Sequence, residues 1–200
     1  MIQIDQWFPI HIGCVINPFH EEIENELTQQ CVNIKKSYKK DFEKYRKKDE
    51  IKNSSQSPLL DWLYFQQNSP YNLLEDQKFN RLHNWIDDQI GEYTEKLKFK
   101  RKVKCSEGWF NVYEKYEYAD YHSHIPNILS CVYFLNCEEK GAKLLIRNKN
   151  DALVYHCDIV SIIYHHPIPG KLVIFSSHLE HAVQQHNTDN LRITLAYNYV

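Results

Sequence analysis

The sequence predicts a mainly β protein with α-helices, an α+β fold in which N-terminal helices flank a sandwich or jelly roll. The first part of the chain has helical periodicity, and the part after residue 104 is a series of short apolar runs separated by polar, Pro or Gly breaks. About seven such runs favour a sandwich or jelly roll over a parallel α/β sheet. We expect one domain over residues 1–200, mainly helical over 1–104, with the β core over 105–200.

Composition excludes several classes of protein. The chain has 200 residues, 42% hydrophobic and 25% charged, which is typical of a soluble globular protein and not of a disordered one. A net charge of −2 argues against general binding to nucleic acid or membrane surfaces. The sequence shows neither a membrane-spanning apolar run nor a signal-peptide pattern. Its six cysteines form no CxxC pair, so we expect a reducing, cytoplasmic setting.

The first 104 residues predict two long helices. Asn17-Pro18 is a typical helix start, and the helix is predicted to run to Glu50. A polar linker is expected over Lys52–Pro58, and a second helix over Leu74–Leu97. The alternation of Trp7–Ile12 predicts a strand before the first helix. Each helix has a stripe of apolar residues at helical spacing. In the first helix the stripe is Ile23, Leu27, Cys31, Ile34, Tyr38, Phe42 and Tyr45. In the second helix it is Phe79, Leu82, Ile86, Ile90, Tyr93 and Leu97.

The second part predicts strands, because its short runs are rich in Val, Ile, Tyr and Phe. The predicted strands are Trp109–Tyr118, Ile128–Leu135, Lys143–Arg147, Val154–His156, Ile159–Tyr164, Lys171–Phe175 and Leu191–Tyr199.

Histidines are concentrated in this second part, which holds eight of the eleven. His122 and His124 follow an expected strand, and residues two apart on an extended segment point to the same side. A third ligand must come from elsewhere in the chain, and His181, after the strand Lys171–Phe175, is the natural candidate. The three side chains are therefore candidate metal ligands and catalytic residues.

Arg192 lies inside an apolar strand, where an unpaired guanidinium is costly to bury. Strand alternation places Arg192, Thr194 and Ala196 on one face, so the guanidinium and the Thr194 hydroxyl could hold one carboxylate together. Three protein ligands leave open positions on an octahedral iron for a bidentate 2-oxo acid and dioxygen. Imidazole also suits zinc and nickel, so the ligands alone do not identify the metal.

At these residues the sequence resembles the 2-oxoglutarate/Fe(II) oxygenases found in bacterial and marine phage genomes, a prolyl-hydroxylase-like branch. The resemblance covers most of the chain, and the ordered set of motifs carries it. The motifs are Trp109-Phe-Asn111-Val-Tyr113, His122-x-His124-x-Pro126, Ser130–Leu135, Gly170–Phe175, His181 and Arg192–Asn198.

The resemblance implies a double-stranded β-helix (a cupin-like jelly roll), Fe(II) held by His122, His124 and His181, and 2-oxoglutarate as co-substrate. It implies that Arg192 binds 2-oxoglutarate, and it places Asn111 and Tyr133 on motif strands that could line the same pocket with Thr194. The expected reaction is hydroxylation of an unidentified substrate, with release of succinate and CO2.

The sequence departs from the family at the ligand positions. The usual ligands are His-x-Asp/Glu and a distant His, whereas His124 stands at the carboxylate position here. Asp120 shares the strand face of His122, so Asp120, His122 and His181 form an alternative set. His178 stands near the site as a further candidate ligand. The related sequences also usually carry a glycine near Tyr116.

Two other functions remain open from the sequence. One is a cupin-type metalloenzyme that does not use 2-oxoglutarate, since three-histidine sites are common there. The other is a non-catalytic β-sandwich or binding module, in which Arg192 would reach a surface carboxylate such as Glu180. The substrate could be a small molecule or a protein, we expect no nucleic acid and no membrane as partner, and the long first helix could pair in a homodimer.

Overall fold

The computed structural model describes residues 10–48, 72–147 and 162–200 of the chain. Two helices precede most of the strands: α1 (His20–Lys48) and α2 (Asn80–Lys96), the second preceded by short 3-10 turns over Leu73–Glu75 and Gln77–Phe79. The strands are β1 (Gly13–Ile16), β2 (Cys105–Tyr113), β3 (Ala119–His122), β4 (Leu129–Asn136), β5 (Leu144–Arg147), β6 (Ile162–His165), β7 (Lys171–Ser176), β8 (Glu180–Val183) and β9 (Arg192–Tyr199).

The strands form two antiparallel sheets. The larger sheet has the order β1-β7-β4-β9-β2, and the smaller has the order β3-β8-β5-β6. Apart from β5 and β6, strands that are neighbours in a sheet are not consecutive in the sequence, as in β2 with β9 and β1 with β7. This arrangement confirms the predicted α+β fold with a jelly-roll core.

The larger sheet is buried on both faces. Along β4, Cys131, Tyr133 and Leu135 belong to the cluster that packs against the helices, whereas Val132 and Phe134 belong to the cluster between the sheets. Because successive side chains of a strand point to opposite faces, one strand contributes to both cores. The inner face of this sheet, opposite β3, β8 and β5, is where a pocket forms.

The two helices cover the outer face of the larger sheet with the predicted stripes. Asn17 caps the first turn: its Oδ1 accepts a hydrogen bond from the Phe19 backbone N–H at 3.0 Å. The stripe positions buried in the core are Ile23, Leu27, Cys31 and Ile34 of α1, and Leu82, Ile86 and Ile90 of α2. The side chains of the rest of the α1 stripe, from Tyr38 onward, are outside the part of the chain whose side chains are described.

Several predicted boundaries differ from the structure. The first strand is Gly13–Ile16 rather than Trp7–Ile12, whose first three residues lie outside the described residues. The strand predicted over Trp109–Tyr118 ends at Tyr113, because the chain turns at Tyr116, which has a φ of 72° in the left-handed region. The two short strands that carry His122 and His181, β3 and β8, were not predicted. The predicted strand Val154–His156 and the linker Lys52–Pro58 lie outside the described residues.

Neither helix of the described part of the chain combines the length and hydrophobicity that a membrane-spanning segment requires.

Candidate active site

Three histidine side chains meet in the pocket between the two sheets. His122, at the end of β3, pairs in register with His181 of β8. His124 lies just beyond β3, and its backbone N–H donates to the Ser177 carbonyl at 2.9 Å, which fixes this loop against the end of β7. The ring centroids are 4.3 Å apart for His122 and His181, 4.9 Å for His124 and His181, and 5.1 Å for His122 and His124. One nitrogen from each ring lies within 4.8 Å of the others, so the set could hold a metal ion.

The structure brings His124, and not the Asp120 carboxylate, to the other two histidines. Asp120 is exposed, and its part in the site is through its backbone carbonyl oxygen, which accepts the Nδ1–H of His122 at 2.7 Å. His178 is exposed beside the site and its Nδ1 lies 2.7 Å from the Ser176 hydroxyl, outside the three-histidine cluster.

Burial keeps two of these imidazoles neutral. Burial, with a smaller contribution from the nearby His122, lowers the pKa of His124 to about 4. Burial lowers the pKa of His181 well below its usual value, and His122 and His124 act in the same direction. A neutral imidazole has a free lone pair, which is the form that binds a metal.

Arg192 is fully buried and lines the same pocket as the three histidines. Its Nε donates to the Ala142 carbonyl at 3.0 Å, while neither Nη1 nor Nη2 has a hydrogen-bond partner in the described part of the chain. The guanidinium carbon lies 5.0 Å from the Tyr113 ring centroid and 5.3 Å from that of Phe134. Burial lowers the pKa of Arg192, although an arginine remains charged in a protein. Two buried donors without a partner are unusual and indicate a place for an anion.

Of the other side chains predicted to bind the co-substrate, two line the pocket and one lies on the face of the sheet that packs against the helices. Thr194 and Asn111 line the pocket, from the paired strands β9 and β2, where they lie opposite each other. The structure does not bring Tyr133 to the pocket. Its hydroxyl accepts a hydrogen bond from Asn17 Nδ2 at 3.0 Å and lies 2.8 Å from His20 Nδ1, on the face of β4 that packs against the helices.

Glu180 is not the partner of Arg192. Its carboxylate accepts a hydrogen bond from Arg147 Nε at 2.7 Å. This assigns the surface ion pair to Arg147 and leaves the pocket guanidinium without a protein carboxylate in the described residues.

Two pocket features were missed as site residues by sequence reasoning. The centroid of the Trp109 ring lies 5.2 Å from that of the His124 ring, and Trp109 lines the pocket. Its place in the motif Trp109–Tyr113 was the sequence feature that could have identified it as a pocket residue. Ser177 joins a buried chain of hydrogen bonds through Ser130 to Asn198, with oxygen distances of 2.8 and 2.7 Å. Asn198 in turn donates to Glu107 at 2.6 Å. Because Ser130 donates to Asn198, it must accept from Ser177, so the hydrogen bonds of this chain all run in one direction.

The donor set fits iron and a dicarboxylate co-substrate. Three imidazoles suit Fe(II), and three protein ligands leave coordination positions for other groups. The two unpaired Nη groups of Arg192 match the bidentate geometry of a carboxylate.

A family match agrees with this geometry. Residues 107–198 match the family described as "Putative 2OG-Fe(II) oxygenase". The matched stretch contains all three histidines of the cluster, Arg192, Thr194 and Asn111. A comparison with curated protein sequences gives no match.

Two solved structures of prolyl hydroxylases share the fold. A prolyl hydroxylase from Trichoplax adhaerens, in complex with a hypoxia inducible factor peptide fragment, has a TM-score of 0.59 and 15% identity, over 94% of this chain and 82% of that one. A Pseudomonas putida prolyl-4-hydroxylase has a TM-score of 0.54 and 14% identity, over 95% of this chain and 87% of that one. The chain covers 54% of the length of a Burkholderia pseudomallei oxidoreductase of the 2OG-Fe(II) oxygenase family, with 15% identity over 64% of this chain and a TM-score of 0.47.

Residues 107–198 therefore resemble the 2OG-Fe(II) oxygenase family, on a fold that the chain shares with prolyl hydroxylases.

Proposed function

We propose that the protein is an Fe(II)- and 2-oxoglutarate-dependent oxygenase that hydroxylates a small-molecule or protein substrate and releases succinate and CO2. One observation carries this proposal: a buried arginine with two unpaired Nη groups lies in the same pocket as a cluster of three histidines. The family match over residues 107–198 supports the same activity.

The iron would be held by His122, His124 and His181. When bound, Fe(II) supplies the activation of dioxygen that couples oxidation of 2-oxoglutarate to hydroxylation of the substrate. Burial lowers the pKa of His124 and of His181, which keeps these two imidazoles neutral and ready to bind. The Nδ1–H of His122 donates to the Asp120 carbonyl, which leaves Nε2 as the nitrogen with a lone pair.

Arg192 would bind the carboxylate of 2-oxoglutarate that lies farthest from the metal. Its planar guanidinium offers two parallel N–H groups, and Thr194 adds a hydroxyl on the same strand face. The rings of Tyr113 and Phe134 lie against the guanidinium and exclude water from it. Asn111, from the neighbouring strand, would contact the co-substrate between its two ends.

A cupin-type metalloenzyme that does not use 2-oxoglutarate is the second candidate. The all-histidine cluster favours it, because 2-oxoglutarate/Fe(II) oxygenases usually have a carboxylate ligand at the position of His124. Such an enzyme would have no use for a buried guanidinium without a partner, so Arg192 favours the 2-oxoglutarate-dependent reaction.

The two candidates are separated by titrating the anaerobic Fe(II) protein with 2-oxoglutarate. We expect a weak visible charge-transfer band, and succinate formation when air is admitted. The Arg192→Met variant should bind Fe(II) normally and require far more 2-oxoglutarate to develop the band. Stoichiometric iron binding without a band or succinate would favour the second candidate, and no binding of iron would contradict both.

We also propose a reducing, cytoplasmic setting for the protein. Five cysteines lie in the described residues, and all five are free thiols. Oxidising compartments favour paired cysteines, so this pattern suits the cytoplasm.

A further inference from the structure

Three residues form a contact network on the face of the smaller sheet that points away from the pocket. Tyr121 precedes His122 on β3, Glu180 precedes His181 on β8, and Arg147 ends β5. Because neighbouring residues of a strand point to opposite faces, these three side chains lie behind the histidines. In the register of the sheet, Arg147 lies opposite Glu180.

Arg147 connects all three strands through one guanidinium. Its Nε donates to Glu180 Oε2 at 2.7 Å, and its Cζ lies 3.8 Å from the Tyr121 ring centroid. Since β8 lies between β3 and β5, the arginine side chain reaches across β8 to contact Tyr121. Arg147 is 35% exposed and Glu180 only 15%, so both contacts are partly shielded from water. A cation over an aromatic face is more favourable when it is desolvated.

The strand that carries His122 is otherwise weakly held. β3 has four residues and lies at the edge of the smaller sheet, paired in the described residues with β8 alone. Its register consists of Ala119 with Val183 and His122 with His181, with an irregularity between these pairs. His181, in contrast, lies on a strand that pairs on both sides. The separation of the two imidazoles therefore depends on how firmly β3 stays on β8.

We propose that Arg147, acting through Tyr121, is a positioning residue that holds His122 opposite His181 at the spacing that a metal ion requires. This inference rests on the proposed function, because it assumes that the histidines bind a metal. Arg147 does not contact the metal position; it acts on the ligand strand from behind. Supporting groups of this kind typically change metal affinity by ~10–100-fold when removed.

Arg81 provides a matched control in the same chain. Its Nη2 lies 2.8 Å from Glu22 Oε2, and its Cζ lies 4.2 Å from the Phe19 ring centroid. It thus makes the same two kinds of contact as Arg147, between α2 and the start of α1. None of these three residues lines the pocket.

The test compares Arg147→Met with Arg81→Met, using Co(II) as the probe because its visible bands report ligand geometry and it does not require anaerobic handling. We expect Arg147→Met to weaken Co(II) binding by ~10–100-fold and to change the visible spectrum. Arg81→Met should bind Co(II) as the wild type does, and thermal unfolding of the two metal-free variants measures how much stability each substitution costs. Tyr121→Leu should behave as Arg147→Met does, and Tyr121→Phe, which keeps the aromatic face, should restore wild-type binding.

Wild-type Co(II) affinity and spectrum in Arg147→Met would overturn the inference and leave the proposed function intact. A parallel loss of affinity in Arg81→Met would also overturn it, because the effect would then be general destabilisation. Failure of the wild-type protein to bind Co(II) would instead refute the metal site, and with it both proposals. Amide hydrogen exchange in the metal-free protein gives an independent reading: Ala119–His122 should exchange faster in Arg147→Met than in Arg81→Met, and equal rates would contradict the positioning role.

Discussion

His122 and His181 face each other across β3 and β8, and each imidazole lies against the carbonyl oxygen two residues before it. The distances are 2.7 Å from His122 Nδ1 to the Asp120 oxygen and 3.2 Å from His181 Nδ1 to the Leu179 oxygen. Because a carbonyl oxygen can only accept, both Nδ1 atoms carry the proton. Both rings therefore share one tautomer, with Nε2 as the metal-binding nitrogen.

Replacing a buried member of this pair should abolish tight metal binding. We expect His181→Ala to lose more affinity for Fe(II) or Ni(II) than the ~10–100-fold typical of an outer-shell change, because it removes a ligand itself. Anaerobic calorimetric titration with Fe(II) measures the effect. His178→Ala is the control, since that exposed imidazole lies outside the cluster, and an equal loss in this variant would contradict our choice of ligands.

Replacing Arg192 should weaken the binding of 2-oxoglutarate without lowering the thermal stability of the metal-free protein. Arg192→Met removes a buried cation with two unpaired Nη groups, so we expect the metal-free variant to have a Tm no lower than that of the wild type. Its affinity for 2-oxoglutarate should fall about 100-fold, as expected for the loss of charge-assisted hydrogen bonds worth roughly 2–3 kcal/mol. Thermal unfolding with and without metal and 2-oxoglutarate measures both quantities. A normal ligand-induced rise in Tm would contradict the assigned role.

The glycine that directly precedes β7 should not accommodate a side chain without a loss of stability. Gly170 has a φ of 77°, and an added Cβ would lie 2.8 Å from His20 Cβ. Gly170→Ala should therefore lower the free energy of unfolding by about 2 to 3 kcal/mol, from left-handed strain and overpacking. Gly91→Ala is the contrasting variant, because nothing lies within 4 Å of its added Cβ on α2, and it should raise that free energy by roughly 0.5–1 kcal/mol. Urea denaturation compares the two, and similar effects would refute this explanation.

Acid should destabilise the protein partly through His165. Burial, with a smaller contribution from Lys171, lowers the pKa of His165 to about 4 from the value of 6.5 for an unperturbed imidazole. Between these values the unfolded chain binds a proton that the folded chain does not, so the free energy of unfolding falls as the pH drops from about 6.5 to 4. The contribution is fully present above pH 6.5.

His165→Gln should flatten this dependence in urea unfolding measured across the interval. The exposed neighbour His166→Gln should change the slope less. An unchanged slope in His165→Gln would show that His165 does not take up a proton on unfolding.

The sequence was sufficient to predict the helices and the three histidines that the structure brings together, for identifiable reasons. Long amphipathic stretches have a clear period, and alternation alone places His122 and His124 on one side. Arg192 was recognisable as a candidate because a guanidinium inside an apolar strand is costly to bury without a partner.

Other features were beyond prediction because the pattern carries too little information. β3 and β8 have four residues each and polar ligand side chains, so neither has the apolar run that identifies a strand. β4 is buried along both faces, so its sequence does not show whether Tyr133 points to the pocket or to the helices. Tyr116 adopts a left-handed backbone conformation although it is not a glycine, and no local sequence pattern indicates a turn of this kind.

The pairing of β1 with β7 makes the family-matched region dependent on the part of the chain that precedes it. A fragment that begins at Cys105 would lose β1 and both helices, and would leave Tyr133, Leu172 and Ile174 without the cover they have in the full chain. Such an excised core would present a broad apolar surface and a bare sheet edge to water, and we expect it to aggregate.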